Sequence, residues 1–349
     1  MLRPIQLVVL AGLASTLAVP NSSDVSNLAR RDTFSQKFTF AGCEPAQENV
    51  IKTSYSHFRE MLNVQRDSLS DIQDYLIGVL NKQKTELTSK LKSNMNTFMM
   101  FFGEFDYSDQ CEITDNIDRT EQLVDVIRRI DKIISDFAFS GTYAPVIFCT
   151  DKYFEYARSE DGEQIYKNTL DRDQRETANP FGEESGICDD PAIGAAMLYP
   201  TTGEVADWML FCPKLFEKWL PTDSDSGEQS NSGPGSDLRY LTDYRALSLD
   251  AMIGKKIDHI AWVVPEVIML HELTHSGMIF NLFDVDNHGN RQEELMMLDD
   301  VQYAPGQAAY HFDGVIALAK VSRDDPVKMV RNADTIVYHA TAHPLGDIS

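Results

Sequence analysis

The sequence predicts an α+β fold in the order helices, small sheet, helices. Three observations carry that prediction. Apolar residues recur at helical spacing through residues 46–103 and again from Asp118 to Phe137. The texture becomes strand-like after Gly141. Helical patterns return from Leu238 to the end of the chain. With 349 residues, 43% of them hydrophobic, the chain can bury a sizeable core. No internal repeat is found.

The first stretch, "MLRPIQLVVLAGLASTLAVP", has the layout of a secretory signal. A lone cation, Arg3, precedes an apolar run from Leu7 to Leu13, and small residues end at Ala18. Residues 1–18 are therefore expected to be removed. Residues 19–31 then form a short pro-segment or linker ending in the dibasic pair Arg30-Arg31, with the sequon Asn21-Ser22-Ser23 inside it. No later stretch is long and apolar enough to span a bilayer. The expected location is extracellular. There the five cysteines, Cys43, Cys111, Cys149, Cys188 and Cys212, should give two disulfides and one odd thiol.

Residues 32–140 read as a helical N-terminal region, expected to form a lobe of its own. Ile72, Tyr75, Leu76, Val79 and Leu80 mark one helix face; Leu123, Val126, Ile127, Ile130, Ile134 and Phe137 mark another. Residues 141–349 form the second unit. "APVIFCT" reads as a buried strand, and "AAMLYPTTGEVADWMLFCP" as two strands joined around Thr202-Gly203. Trp208 on the second of these is expected in the core. Residues 222–237, "TDSDSGEQSNSGPGSD", read as a mobile surface loop.

The net charge of −23 argues against nucleic acid as a partner, because phosphates need Lys and Arg. It suits a soluble protein or one that meets basic substrates.

The chemistry lies in "MLHELTHSGMIF", residues 269–280. His271, Glu272 and His275 form the pattern H-E-x-x-H. Pro265 fits a first helical position and Glu266 the positive helix end, so a helix is expected over 265–278. Four residues make about one turn, which puts both imidazoles on one face, able to share an ion. Glu272 stands beside that face, placed to take a proton from a water activated by the metal. A third ligand must come from elsewhere. The pattern H-E-x-x-H-x-x-G-x-x-H is excluded, because Met278 and Asn281 stand where Gly and His are required. Glu293 or Glu294 on a following helix, Asp299 or Asp300, and His288 in a predicted turn are the candidates. His339 and His343, four apart before Pro344 with no Glu between them, read as solvated tail residues. His57, His259 and His311 read as structural or exposed, with His311 near enough to Tyr303 for a supporting role.

"MLDDVQYA", residues 297–304, gives these residues a resemblance. The chain resembles the deuterolysin and lysine-specific metallo-endopeptidase family, the fungal aspzincins, whose H-E-x-x-H is followed by G-T-x-D-x-x-Y-G. Asp300 falls on the family's aspartate and Tyr303 on its tyrosine. "GAAMLYPTTGEVADWMLFCPKLFE", "AAYHFDGVIALAK" and "VRNADTIVYHATA" are similar to the family's hairpin, its following helix and its C-terminal N-A-D helix. "MMFFGEF" fits its early part, so the likeness spans roughly residues 98–343. The family's Gly-Thr is Met297-Leu298 here, its closing Gly is Ala304, and the link from His275 to Asp300 is longer. Asp299 and Glu294 therefore stay as alternatives to Asp300.

The resemblance implies a zincin-like fold and one zinc ion on His271, His275 and Asp300. It implies Glu272 as general base and Tyr303 as oxyanion stabiliser. The expected function is a secreted zinc endopeptidase acting on protein or peptide substrates. The alternative is an inactive secreted protein of the same fold that binds zinc or a partner. Some of that family prefer lysine just after the cut, a preference an acidic pocket would provide.

Overall fold

A computed structural model describes residues 38–83, 86–102, 145–171, 175–179, 186–190, 193–200, 207–220, 257–261, 263–276, 300–322 and 327–346. Residues 128, 173, 240–241, 284–285, 291–292 and 298 are described as isolated points. The expected signal, pro-segment, 118–137 helix, Thr202-Gly203 turn and 222–237 loop lie outside the described residues, as do His288, Glu293, Glu294 and Asp299. What is described is mixed helix and sheet, as expected, and no described helix is long and apolar enough to cross a membrane.

Strand β1 (Thr39–Ala41) leads into helix α1 (Pro45–Leu80). Pro45 occupies the first turn, where its missing N–H costs nothing, and Gln47 Oε1 accepts the Glu44 N–H at 2.8 Å. The 36 residues of α1 span about 54 Å at 1.5 Å each. Its buried stripe, including Ile51, Tyr55, Phe58, Leu62, Leu69, Ile72 and Leu76, follows the helical period. The helix stops at Leu80, where Lys82 takes a positive φ of 53°, and α2 (Ser89–Phe102) folds back along it.

The central sheet runs β1-β2-β7-β6, with β2 (Val146–Phe148), β6 (Ala195–Leu198) and β7 (Trp208–Phe211). β1, β2 and β7 are parallel, and β6 joins antiparallel at the edge. Both faces of this sheet are buried, so its strands are nearly all apolar. Alternate side chains go to opposite cores. Ile147, Met197, Met209 and Phe211 face the helices; Phe148, Leu198, Trp208 and Leu210 face a second cluster with Phe154 and Tyr166. That cluster sits under an antiparallel meander of β3 (Phe154–Arg158), β4 (Gln164–Asn168) and β5 (Glu176–Ala178). Trp208 is core, as expected.

Helix α3 (Pro213–Trp219) follows β7, and Trp219 Nε1 donates to the Val263 carbonyl at 2.8 Å. Then come α4 (Asp258–Ala261) and α5 (Pro265–Thr274). Two short hairpins follow: β8 (Asp284–Val285) with β9 (Arg291–Gln292), and β10 (Gln302–Ala304) with β11 (Gln307–Ala308). Helices α6 (His311–Val321), α7 (Val327–Val330) and α8 (Ala333–Gly346) complete the chain.

Among the described residues, contacts run across the division expected near residue 140. α1 lies directly on α5 and α8, and one core joins Phe58 and Phe102 to Leu270 and Val337. β1 pairs with β2, and Cys43 is bonded to Cys149, both across that point. A second disulfide, Cys188–Cys212, ties the turn at Ile187–Asp189 to the end of β7. These are the two bridges expected; Cys111 lies outside the described residues.

The end of the chain is also corrected. His339 is not a tail residue but fully buried in α8, with its Nδ1 2.7 Å from Gln65 Nε2 and its ring among Phe98, Phe101 and Phe102. The Pro344 signal suggested a chain end, whereas α8 continues through it and packs on α1 and α2.

Candidate metal centre

Every residue of α5 is buried, because α1, α8 and β6 enclose it. The helix is shorter than expected. It ends at Thr274, and His275 caps it, its N–H turned to the carbonyls of Glu272 and Leu273. His271 and His275 still share one face, with their Nε2 atoms 3.2 Å apart.

Asp300 reaches them across a long link because its neighbours are pinned. The Leu298 N–H donates to the Thr274 carbonyl at 3.0 Å, and the Leu298 carbonyl lies 2.7 Å from His275 Nδ1. On the other side, the Val301 N–H donates to Asn332 Oδ1 at 3.0 Å. Asp300 Oδ1 is thereby held 3.6 Å from His275 Nε2 and 3.9 Å from His271 Nε2. It is buried and has no hydrogen-bond partner.

The three atoms fit one small cation. Tetrahedral zinc with bonds of 2.0–2.1 Å sets its ligand atoms about 3.4 Å apart, and the observed separations bracket that value. The Leu298 carbonyl fixes the His275 tautomer with its proton on Nδ1, leaving Nε2 as a lone-pair donor. His271 Nδ1 lies 2.7 Å from Asp334 Oδ1, a buried carboxylate at the start of α8. Asp334 Oδ2 accepts the His311 N–H at 2.8 Å; His311 adopts φ 61° at the start of α6 to present it. Burial alone would lower the His271 pKa, but Asp334, Glu272 and Asp300 outweigh it and hold it at about 9. A cluster of three carboxylates around two imidazoles calls for positive charge, which a proton or a metal ion can supply.

Glu272 points beside the trio. Burial pushes its carboxyl above the usual range, and His271 and His275 oppose that rise. The Met197 N–H of edge strand β6 also donates to it. The same strand reaches the centre again through Tyr199, whose hydroxyl donates to the His275 carbonyl at 2.7 Å.

Of the residues singled out in the sequence, His271, His275 and Asp300 meet, with Glu272 alongside. Tyr303 sits in β10, half-buried against the main core. The phenol that touches the centre is Tyr310, which donates to Asp300 Oδ2 at 2.6 Å. Burial and the Asp300 charge raise its pKa, so it remains a donor. Tyr310, Asp334 and the Leu298 carbonyl are the participants that sequence reasoning missed. Only Asp334, inside "NAD", left a trace in the sequence. His57 is structural: its Nδ1 is 2.9 Å from the buried Glu266. The side chains of His259 and His343 lie outside what is described. No family model matches the chain, and no curated protein does either.

Proposed function

We propose that this protein is a secreted zinc-dependent peptide hydrolase of zincin-like architecture. The observation that carries the reading is the convergence of His271, His275 and Asp300 beside a buried Glu272, next to edge strand β6. A zinc ion bound there would polarise a carbonyl as a Lewis acid and lower the pKa of a water to about 7.

The chain supplies the rest. Glu272, with its affinity for protons raised by burial, takes a proton from the attacking water and returns it to the leaving amine. Tyr310 orients Asp300 through Oδ2 so that Oδ1 faces the imidazoles. The single phenolic proton of Tyr310 is committed to Asp300, so Tyr310 acts by positioning that ligand, and the bound metal ion would stabilise the developing oxyanion. β6 offers a place for an extended peptide. The Cys212 N–H donates to the Gly194 carbonyl, so with this register the backbone groups of Ala195 and the Met197 carbonyl point away from β7, the Met197 N–H being taken by Glu272. The signal layout and two disulfides support an extracellular location.

The test is zinc content with proteolysis in the parent and in Glu272→Gln. The expected result is one zinc per chain in both, with casein cleaved by the parent only. A Glu272→Gln variant that cleaves as fast as the parent overturns the mechanism. A parent that holds zinc and cleaves nothing points to the inactive binding protein instead.

A further inference from the structure

The wall of the centre continues into an open cleft of about 500 Å³ lined by Asp300, Val301, Lys328 and Arg331. The two cations stand out in a chain with 54 acidic and 31 basic residues. Both side chains are exposed, and neither forms an ion pair among the described residues. Their placement relative to the centre is fixed. Lys328 is in α7, Arg331 follows it, and the next residues are anchors. Asn332 holds the Val301 N–H, and Asp334 contacts His271. Asn332 is itself buried and donates to Thr335 Oγ1 at 3.0 Å. One segment of seven positions, 328–334, thus sets both a metal ligand and two cations.

Solvated surface cations are common, and either residue alone would mean nothing. Here two of them share a cleft whose only acid among the described residues is the proposed ligand Asp300. Arg331 offers a planar fork that matches a carboxylate, and Lys328 a point charge beside it. We infer that this cleft is a subsite for a carboxylate of the substrate, next to the bond that is cut. The carboxylate comes from an Asp or Glu side chain or from a free C-terminus. This rests on the peptidase reading, and it predicts a preference opposite to the lysine preference implied by the resemblance.

The experiment uses the full secreted chain loaded with zinc and a panel of peptides. The peptides differ only in Glu, Gln or Lys at positions flanking the scissile bond, each with a free or an amidated C-terminus. The expected result is a kcat/KM for Glu over Gln on the order of tenfold, falling to about one in Lys328→Gln/Arg331→Gln. A preference for free over amidated C-termini, with Glu and Gln alike, identifies the terminal carboxylate as the occupant; a Glu-over-Gln preference that survives amidation identifies the side chain. No preference, or one that persists in the double variant, overturns the inference. Binding keeps this test separate from the peptidase reading. Zinc-loaded Glu272→Gln should bind the Glu peptide tighter than the Gln peptide by fluorescence anisotropy, and lose that difference when both cations are replaced. That outcome, or tighter binding of the free than of the amidated C-terminus that is lost in the same way, supports the subsite even if nothing is cleaved; equal binding of all four peptides overturns it. An unchanged melting temperature shows that the double variant is folded.

Discussion

Asp334 Oδ1 lies 2.7 Å from Nδ1 of His271, on the ring nitrogen that does not face Asp300. The carboxylate fixes which imidazole nitrogen would face a bound ion, and it would make that nitrogen a better donor. Asp334→Asn keeps the shape and removes the charge. Zinc affinity, measured by competition with a chelating indicator, should fall roughly 10- to 100-fold. An unchanged affinity would mean that His271 needs no such support.

Asp300 and Asp299 adjoin in sequence, and Asp300 is the one placed 3.6 Å from His275 Nε2. Asp300→Ala should abolish stoichiometric zinc, while Asp299→Asn should retain it. Zinc at about 100 times its Kd stabilises a folded protein by about 2.7 kcal/mol. The corresponding rise in Tm should appear in the parent and in Asp299→Asn, and be absent in Asp300→Ala. The reverse pattern would move the third ligand to Asp299.

Tyr310 donates to Asp300, whereas Tyr303 packs on the core. Tyr310→Phe should therefore lower kcat or zinc affinity, by the roughly 1.5–3 kcal/mol typical of hydrogen bonds to charged groups. Tyr303→Phe keeps the ring in its packing and should change neither. Steady-state kinetics beside zinc titration of the two variants decides between them.

The sequence made the ligand histidines legible because their spacing is local: four residues on one helix turn. The long helix α1 and the strands β2, β6 and β7 were legible for the same reason, through period and apolar runs. Asp334 was not, since a single Asp at a helix start reads as a favourable charge near the helix dipole. Its role depends on α8 crossing α5, which no local pattern records. The β3–β5 meander was missed because its strands mix Glu, Arg, Gln and Lys with the apolar residues. Tyr310 was hidden behind Tyr303, which carried the spacing on which the resemblance rests.

Glu266 tests the electrostatics within α5. It is fully buried, accepts from the Leu241 N–H at 3.1 Å, and lies 2.9 Å from His57. Burial raises its pKa above the ordinary 4.5, and the His57 contact only partly offsets that. Its other oxygen, Oε2, has no hydrogen-bond partner. A group whose folded pKa is raised binds its proton more tightly when folded. Its stabilising contribution is full below the unfolded pKa and is lost as pH rises through the folded pKa. The parent should thus lose stability relative to Glu266→Gln from about pH 4.5 upward, by at most about 1.4 kcal/mol per pH unit. Urea unfolding of both proteins across that range measures the difference. A difference that stays flat with pH would show that folding leaves this pKa where it was.

The two disulfides should differ in worth. Cys43–Cys149 closes a loop with a sequence separation of 106, and Cys188–Cys212 one of 24. If each acts by restricting the unfolded chain, the longer loop contributes about 1.3 kcal/mol more, from 1.5RT times the logarithm of the ratio. Paired Cys→Ala variants are the right probes, because Cys149 and Cys212 are buried and a serine hydroxyl would need a partner there. Each pair should cost on the order of 2–5 kcal/mol in urea unfolding, with Cys43→Ala/Cys149→Ala the more costly. The first bridge also joins the start of α1 to β2, so its loss should leave zinc binding intact while lowering Tm. A reversed order would mean that native contacts around Cys188–Cys212, beside β7 and the second core, outweigh chain entropy.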